Sequence, residues 1–126
     1  MVNSAMSPTP PGWPPQVRPP QAPGWEHSAE GWLLDLCPSE YRGYPVLRRH
    51  PVALARLAAH HVDGARRSCA AAMSGVRSEL SGVIPPPAVE DVLGALEREQ
   101  ARLLAAGRAV ALVEQALRGE RYVPRL

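Results

Sequence analysis

The chain has 126 residues, a formal net charge of +2 at neutral pH and 45% hydrophobic residues. This length suits one small domain, and so small a net charge gives no reason to expect binding to nucleic acid or to an anionic membrane. All 14 basic residues are arginine, a bias that a GC-rich coding sequence produces, so the absence of lysine carries no functional meaning.

The two cysteines, Cys37 and Cys69, are too few for a disulfide framework and lack the close spacing of a zinc or redox motif. The first residues do not show the basic and apolar pattern of a signal peptide. No apolar run reaches the roughly 18 residues that a membrane span needs. These features predict a reduced, cytoplasmic protein with no cofactor, no metal and no membrane contact.

Residues 1–28 are rich in Pro, Gly, Ser and Gln and include the stretch PTPPGWPPQVRPPQAPGW. We predict a disordered tail with polyproline II character, because few aliphatic side chains are present to offset the entropy of ordering it. Trp13 and Trp25 are candidate anchors for a partner. The alternative is that both aromatic residues are incidental to the tail.

We predict that residues 29–50 form an ordered lead-in segment, which precedes the main helices and packs on them. An apolar cluster too short for a full helix begins at Trp32, and Ser39 is the candidate cap of a further turn. Val46 and Leu47 are candidate anchors against the main helices.

Two long helices are predicted over residues 51–81 and 87–118. Pro51 suits the first position of a helix, where its missing N–H costs no hydrogen bond. Gly82 and the three prolines that follow it prevent the first helix from continuing into the second. Residues 119–126 predict an extended C-terminal tail.

Each predicted helix carries an apolar row with spacings of four and three residues. The row of the first helix is Ala58, Val62, Ala65, Cys69, Ala72 or Met73, Val76 and Leu80, and that of the second is Val89, Leu93, Leu96, Gln100, Leu103, Gly107, Val110, Glu114 and Leu117. Matched lengths and a short connection predict an all-α, coiled-coil-like antiparallel hairpin. The second stripe is wider than one neighbour covers, which predicts a homodimer.

Charge is unevenly distributed along the chain. The stretch from Arg42 to Arg77 holds seven arginines and one acid, Asp63, whereas the stretch from Glu79 to Glu99 holds five acids and one arginine. Because a hairpin brings the two stretches side by side, we expect the acids from Glu90 to Glu99 to lie near Arg66, Arg67 and Arg77 and to pair with them.

The adjacent histidines His60 and His61 are candidates for a metal or catalytic site. On a helix they point about 100° apart, so they cannot both ligate one metal from the same face. Cys69 lies two turns beyond His61, roughly 12 Å along the axis, which is too far to share an ion. With no nucleophile nearby, we predict that the protein is not an enzyme and has no catalytic or metal-ligating residue.

Four arginines, Arg42, Arg48, Arg49 and Arg56, lie within fifteen residues around the start of the first long helix. They are candidate contacts for an anion, a nucleic-acid backbone or a protein partner. The alternative is that these arginines form a solvated face, or that they form ion pairs with acids of a neighbouring helix.

The block GWLLDLCPSEYRGYPVLRRHPVALARLAAHH and the ending ALRGERYVPRL resemble short helical proteins of unassigned function from high-GC actinobacteria. The resemblance implies no active site. With the hairpin, it predicts a non-enzymatic protein–protein interaction or adaptor module that self-associates and binds an unknown protein partner. The alternative is a nucleic-acid-associated accessory protein that uses Arg42 to Arg56.

Overall fold

A computed structural model describes residues 9–124, which form helices joined by turns. Two long helices pack against each other along an antiparallel hairpin, with Arg77 beside Glu90 near the turn and Arg56 beside Glu114 near the open end. The prediction of an all-α helical hairpin is therefore confirmed. In chain order the helices are α1 (Trp25–Asp35), a 3-10 helix (Ser39–Gly43), α2 (Pro45–Arg49), α3 (Pro51–Leu80) and α4 (Pro86–Leu117).

Proline and glycine set the ends of the two long helices. Pro51 is the first residue of α3 and Pro86 is the first residue of α4, where neither proline removes an intrahelical hydrogen bond. Between them, Gly82 adopts a left-handed φ of 77°, a conformation that side chains with a Cβ rarely adopt. The chain therefore reverses within five residues, as the sequence pattern predicts.

The predicted apolar rows form the contact between α3 and α4. In α3 the buried residues include Ala58, Val62, Cys69 and Val76, and in α4 they include Val89, Leu103, Val110 and Glu114. The spacings of four and seven keep these residues on one side of each helix. Among the buried residues of the hairpin interface, Glu114 is the one that is not apolar in the described chain.

Helix α1 covers the open end of the hairpin. Its buried residues Trp25, Ala29 and Leu33 are spaced by four and join a cluster with Leu54 and Val110. The apolar residues after Trp32 therefore belong to a full helix, contrary to the short cluster predicted. That helix begins before residue 29, because its apolar stripe starts at Trp25.

Residues 9–24 are folded, so the disorder predicted for residues 1–28 is wrong for this part. Successive turns are closed by proline carbonyls, which accept hydrogen bonds from the N–H groups of Trp13, Val17 and Ala22. Trp13 and Val17 are buried in the cluster that α1 completes. Residues 1–8 lie outside the described part of the chain.

The link between α1 and α3 follows the prediction only in part. Leu47 is buried, but the neighbouring Val46 is half exposed, because adjacent residues on a helix face different directions. Ser39 does not cap its helix; Pro38 occupies that position without a side-chain hydrogen bond. After α4, residues 120–124 form no helix, and residues 125–126 are outside the description.

Candidate functional site

Two arginines lie beside acids of α1 at the open end of the hairpin, which we call the hairpin head. Arg42 forms an ion pair with Asp35 and donates a hydrogen bond to the carbonyl of Leu34 at 3.4 Å. The Nε of Arg48 lies 3.9 Å from a carboxylate oxygen of Glu30. Two of the four predicted contact arginines are therefore engaged within the chain, as the alternative interpretation expects.

Arg56 takes part in an ion-pair network that joins α3 to α4. Its Nη1 donates to Glu114 Oε1 at 3.0 Å, and Arg118 Nε donates to Glu114 Oε2 at 2.9 Å. Glu114 is only 8% exposed, and a buried carboxylate is tolerated when charged donors satisfy its oxygens. Arg49 is exposed and forms no ion pair with any residue between 9 and 124.

Trp13 and Trp25, the candidate anchors for a partner, are packed within this chain. Trp13 is 9% exposed and Trp25 is buried, and their ring centroids are 6.1 Å apart in a tilted arrangement. The indole Nε1 of Trp13 donates to the carbonyl of Val17 at 3.1 Å. Both tryptophans therefore hold the N-terminal segment onto the head of the hairpin.

The two charge stretches pair with each other at one position near the hairpin turn. Arg77 of α3 forms an ion pair with Glu90 of α4, and the hydrogen bond from Arg77 raises the pKa of its guanidinium. Arg67 instead pairs with Asp63, one turn away in its own helix. Pairing across the hairpin is thus confirmed for Arg77, but it is wrong for Arg67 and for Arg66, which forms no ion pair with the described residues of α4.

The residues with catalytic or metal-binding chemistry do not converge. His60 and His61 are both exposed on α3. Burial raises the pKa of the Cys37 thiol, and the nearby Arg42 opposes this only in part. Over residues 9–124, no group of three His, Cys, Asp or Glu side chains is arranged to hold a metal ion.

An open groove of about 340 Å³ runs between α3 and α4. We call it the α3–α4 groove. Its lining residues are Ala59, Val62, Asp63 and Arg66 of α3 and Leu104, Gly107, Arg108 and Ala111 of α4. None of these residues belongs to α1 or to the N-terminal segment, so the hairpin itself forms the whole groove.

The groove combines small residues, one large apolar side chain and charges. Leu104 is 37% exposed. A Cβ built on Gly107 would lie 3.7 Å from Val62 Cγ1, so this glycine lies directly beside the facing helix. Arg66 Nε is buried without a hydrogen-bond partner among the described residues. The sequence showed an overly wide stripe on α4 but could not place this surface.

Comparison of the chain with protein-family models, with curated proteins and with solved structures found no match. The resemblance to actinobacterial helical proteins therefore stays a prediction. In the described part of the chain, no helix combines the length and the apolar character that crossing a membrane requires.

Proposed function

We propose that this protein is a non-enzymatic protein–protein interaction module that self-associates through its α3–α4 hairpin as a homodimer. The observation that carries the proposal is the α3–α4 groove, an open surface whose lining residues all belong to the two longest helices. Apolar surface left open by the fold favours association, because covering it removes it from water.

The dimensions of the hairpin support this proposal. Helix α3 has 30 residues, so at 1.5 Å per residue it is about 45 Å long, and two packed helices are roughly 20 Å wide. One face of the hairpin therefore offers about 900 Å², compared with about 800 Å² per partner in a stable protein–protein interface.

The non-enzymatic part of the proposal is supported by the distribution of reactive side chains. His60 and His61 lie exposed on α3, whereas Cys37 lies in the link after α1 with a raised pKa. A protonated thiol is a poor nucleophile. The groove itself is lined by aliphatic side chains, one aspartate and two arginines, and the aspartate, Asp63, forms an ion pair with Arg67.

The nucleic-acid alternative is the weaker proposal. Arg42, Arg48 and Arg56 each lie beside a carboxylate of the same chain, which lowers the positive potential that a phosphate backbone would meet. Of these four arginines, only Arg49 lacks such a partner among the described residues. One arginine supplies too small an electrostatic contribution for strong backbone binding.

Two measurements on the full chain separate these functions. Light scattering across a concentration series is expected to show dimers, whereas a gel-shift titration with duplex DNA or RNA at low salt is expected to show no retardation. A monomer at all concentrations, with retardation that weakens steeply as salt rises and is lost in the Arg48→Ala/Arg49→Ala variant, would favour the alternative.

A further inference from the structure

We propose that the α3–α4 groove receives the same groove of a second copy, with the two hairpins parallel and α3 of each copy lying on α4 of the other. The inference rests on the proposed function and specifies the face and orientation of the self-association. Such a dimer would be a four-helix assembly in which both copies contribute side chains to the central layer.

The groove surface suits a closely packed helical partner. The small residues Ala59, Gly107 and Ala111 lie along its lining, and small residues allow neighbouring helices to approach closely. Leu104 provides the large apolar side chain that a partner would bury. Burying an exposed leucine contributes to association in proportion to the apolar area removed from water.

Charge complementarity selects the parallel orientation. Val62 lies beside Gly107, so Asp63 and Arg108, each the next residue along its own helix, lie roughly 3 Å apart along the hairpin axis. When α3 lies on the partner's α4 with both hairpin turns at the same end, Asp63 lies close to the partner's Arg108. The two-fold axis along the hairpin creates this pair twice.

The antiparallel orientation loses these pairs. It would place α3 on the partner's α3 and α4 on the partner's α4, so that Arg108 would no longer meet the partner's Asp63. Arg108 is exposed and forms no ion pair with any residue of the described range, whereas Asp63 pairs with Arg67 and keeps about half of its side chain exposed. Both charges are thus accessible to a second copy.

The first test compares two leucines of equal exposure. Leu104 lines the groove, whereas Leu57 does not, and their exposed fractions are 37% and 38%. In sedimentation velocity, Leu104→Arg is expected to raise the dimer dissociation constant at least tenfold, and Leu57→Arg is expected to leave it within twofold. Circular dichroism establishes that both variants keep their helical content.

The second test reverses the proposed ion pairs. Asp63→Arg alone places like charges against the partner's Arg108, and Arg108→Asp alone places them against the partner's Asp63, so each variant is expected to dimerise at least tenfold more weakly. An equimolar mixture of the two variants recreates both opposite-charge pairs, and a mixed dimer is expected to form with an affinity near that of the wild type.

Failure of this inference can be distinguished from failure of the proposed function. If the wild type dimerises but Leu104→Arg dimerises equally well, the groove is not the interface, although self-association stands. If Leu104→Arg is monomeric but the charge-reversed mixture does not pair, the parallel orientation is wrong. A wild type that stays monomeric contradicts both the inference and the proposed function.

Discussion

Replacing Trp13 with alanine tests whether the N-terminal segment is part of the folded domain. Trp13 is 9% exposed, contacts the Trp25 ring at a centroid distance of 6.1 Å and donates a hydrogen bond to Val17. A buried tryptophan removes about 150–250 Å² from water, or roughly 4–6 kcal/mol at 25 cal/mol per Å². Because the unfolded chain is partly compact and the alanine methyl remains, we expect Trp13→Ala to lower the free energy of unfolding by about 3 kcal/mol.

Urea denaturation followed by circular dichroism at 222 nm measures this loss. Gln16→Ala is the matched control, because Gln16 is exposed in the same segment and its truncation is expected to change stability by less than about 0.5 kcal/mol. The reasoning is refuted if Trp13→Ala unfolds at the same urea concentration as the control. That result would mean that the segment does not contribute to the core of the hairpin head.

Three substitutions and one alkylation experiment test other parts of the structure. Glu114→Gln removes the charge that pairs with Arg56 and Arg118. Because both arginines are half exposed, the free energy of unfolding in chemical denaturation is expected to fall by about 1–2 kcal/mol. An unchanged free energy of unfolding would contradict the ion-pair network. Gly64→Ala is expected to raise stability by about 0.5–1 kcal/mol, since a Cβ there meets nothing within 4 Å; a lower melting temperature would contradict this packing. The raised pKa of Cys37 predicts slower alkylation in the folded than in the urea-unfolded chain at pH 8, measured by peptide mass spectrometry, and equal rates would show the thiol to be unshielded. The hydrogen bond from Arg102 lowers the pKa of Glu99, so this pair stabilises the fold at pH values above the ordinary Glu pKa and loses that effect as the pH falls through the lower pKa of the folded state. The difference in melting temperature between wild type and Glu99→Gln is therefore expected to shrink between pH 7 and about pH 3. A difference that stayed constant would argue against the pair.

The hairpin was predictable because several local signals agree. The apolar rows of α3 and α4 continue for about six and about eight turns, and Pro51, Gly82 and Pro86 mark the helix ends by simple steric rules. When the apolar periodicity and the helix-ending residues agree in this way, few other structures are compatible with the sequence. The predicted boundaries consequently lie within one residue of those observed.

The N-terminal segment was not predictable from composition. A Pro-rich stretch with few aliphatic residues is typical of disorder, but that rule considers the segment alone. Here Trp13 and Val17 pack on a surface that α1 and α4 already provide, and prolines reduce the entropy lost on ordering. The free energy gained by packing on distant helices therefore outweighs the tendency to disorder that the Pro-rich composition indicates.

The candidate site was predictable only as a set of charged residues. Clustering of Arg48 and Arg56 is visible in sequence, but their partners Glu30 and Glu114 lie 18 and 58 residues away along the chain, and only the fold brings them together. The α3–α4 groove depends on which face of the hairpin α1 leaves open. Helical periodicity gives the width of an apolar stripe, not the side from which a third helix covers it.

Sedimentation equilibrium of the full chain measures directly whether the protein self-associates. The mass of one chain is 13.6 kDa. Over a range from about 1 to 100 μM, which brackets moderate protein–protein affinities, we expect the average mass to rise towards twice that value and to level off there. A mass that stays at 13.6 kDa across the whole range would contradict the account.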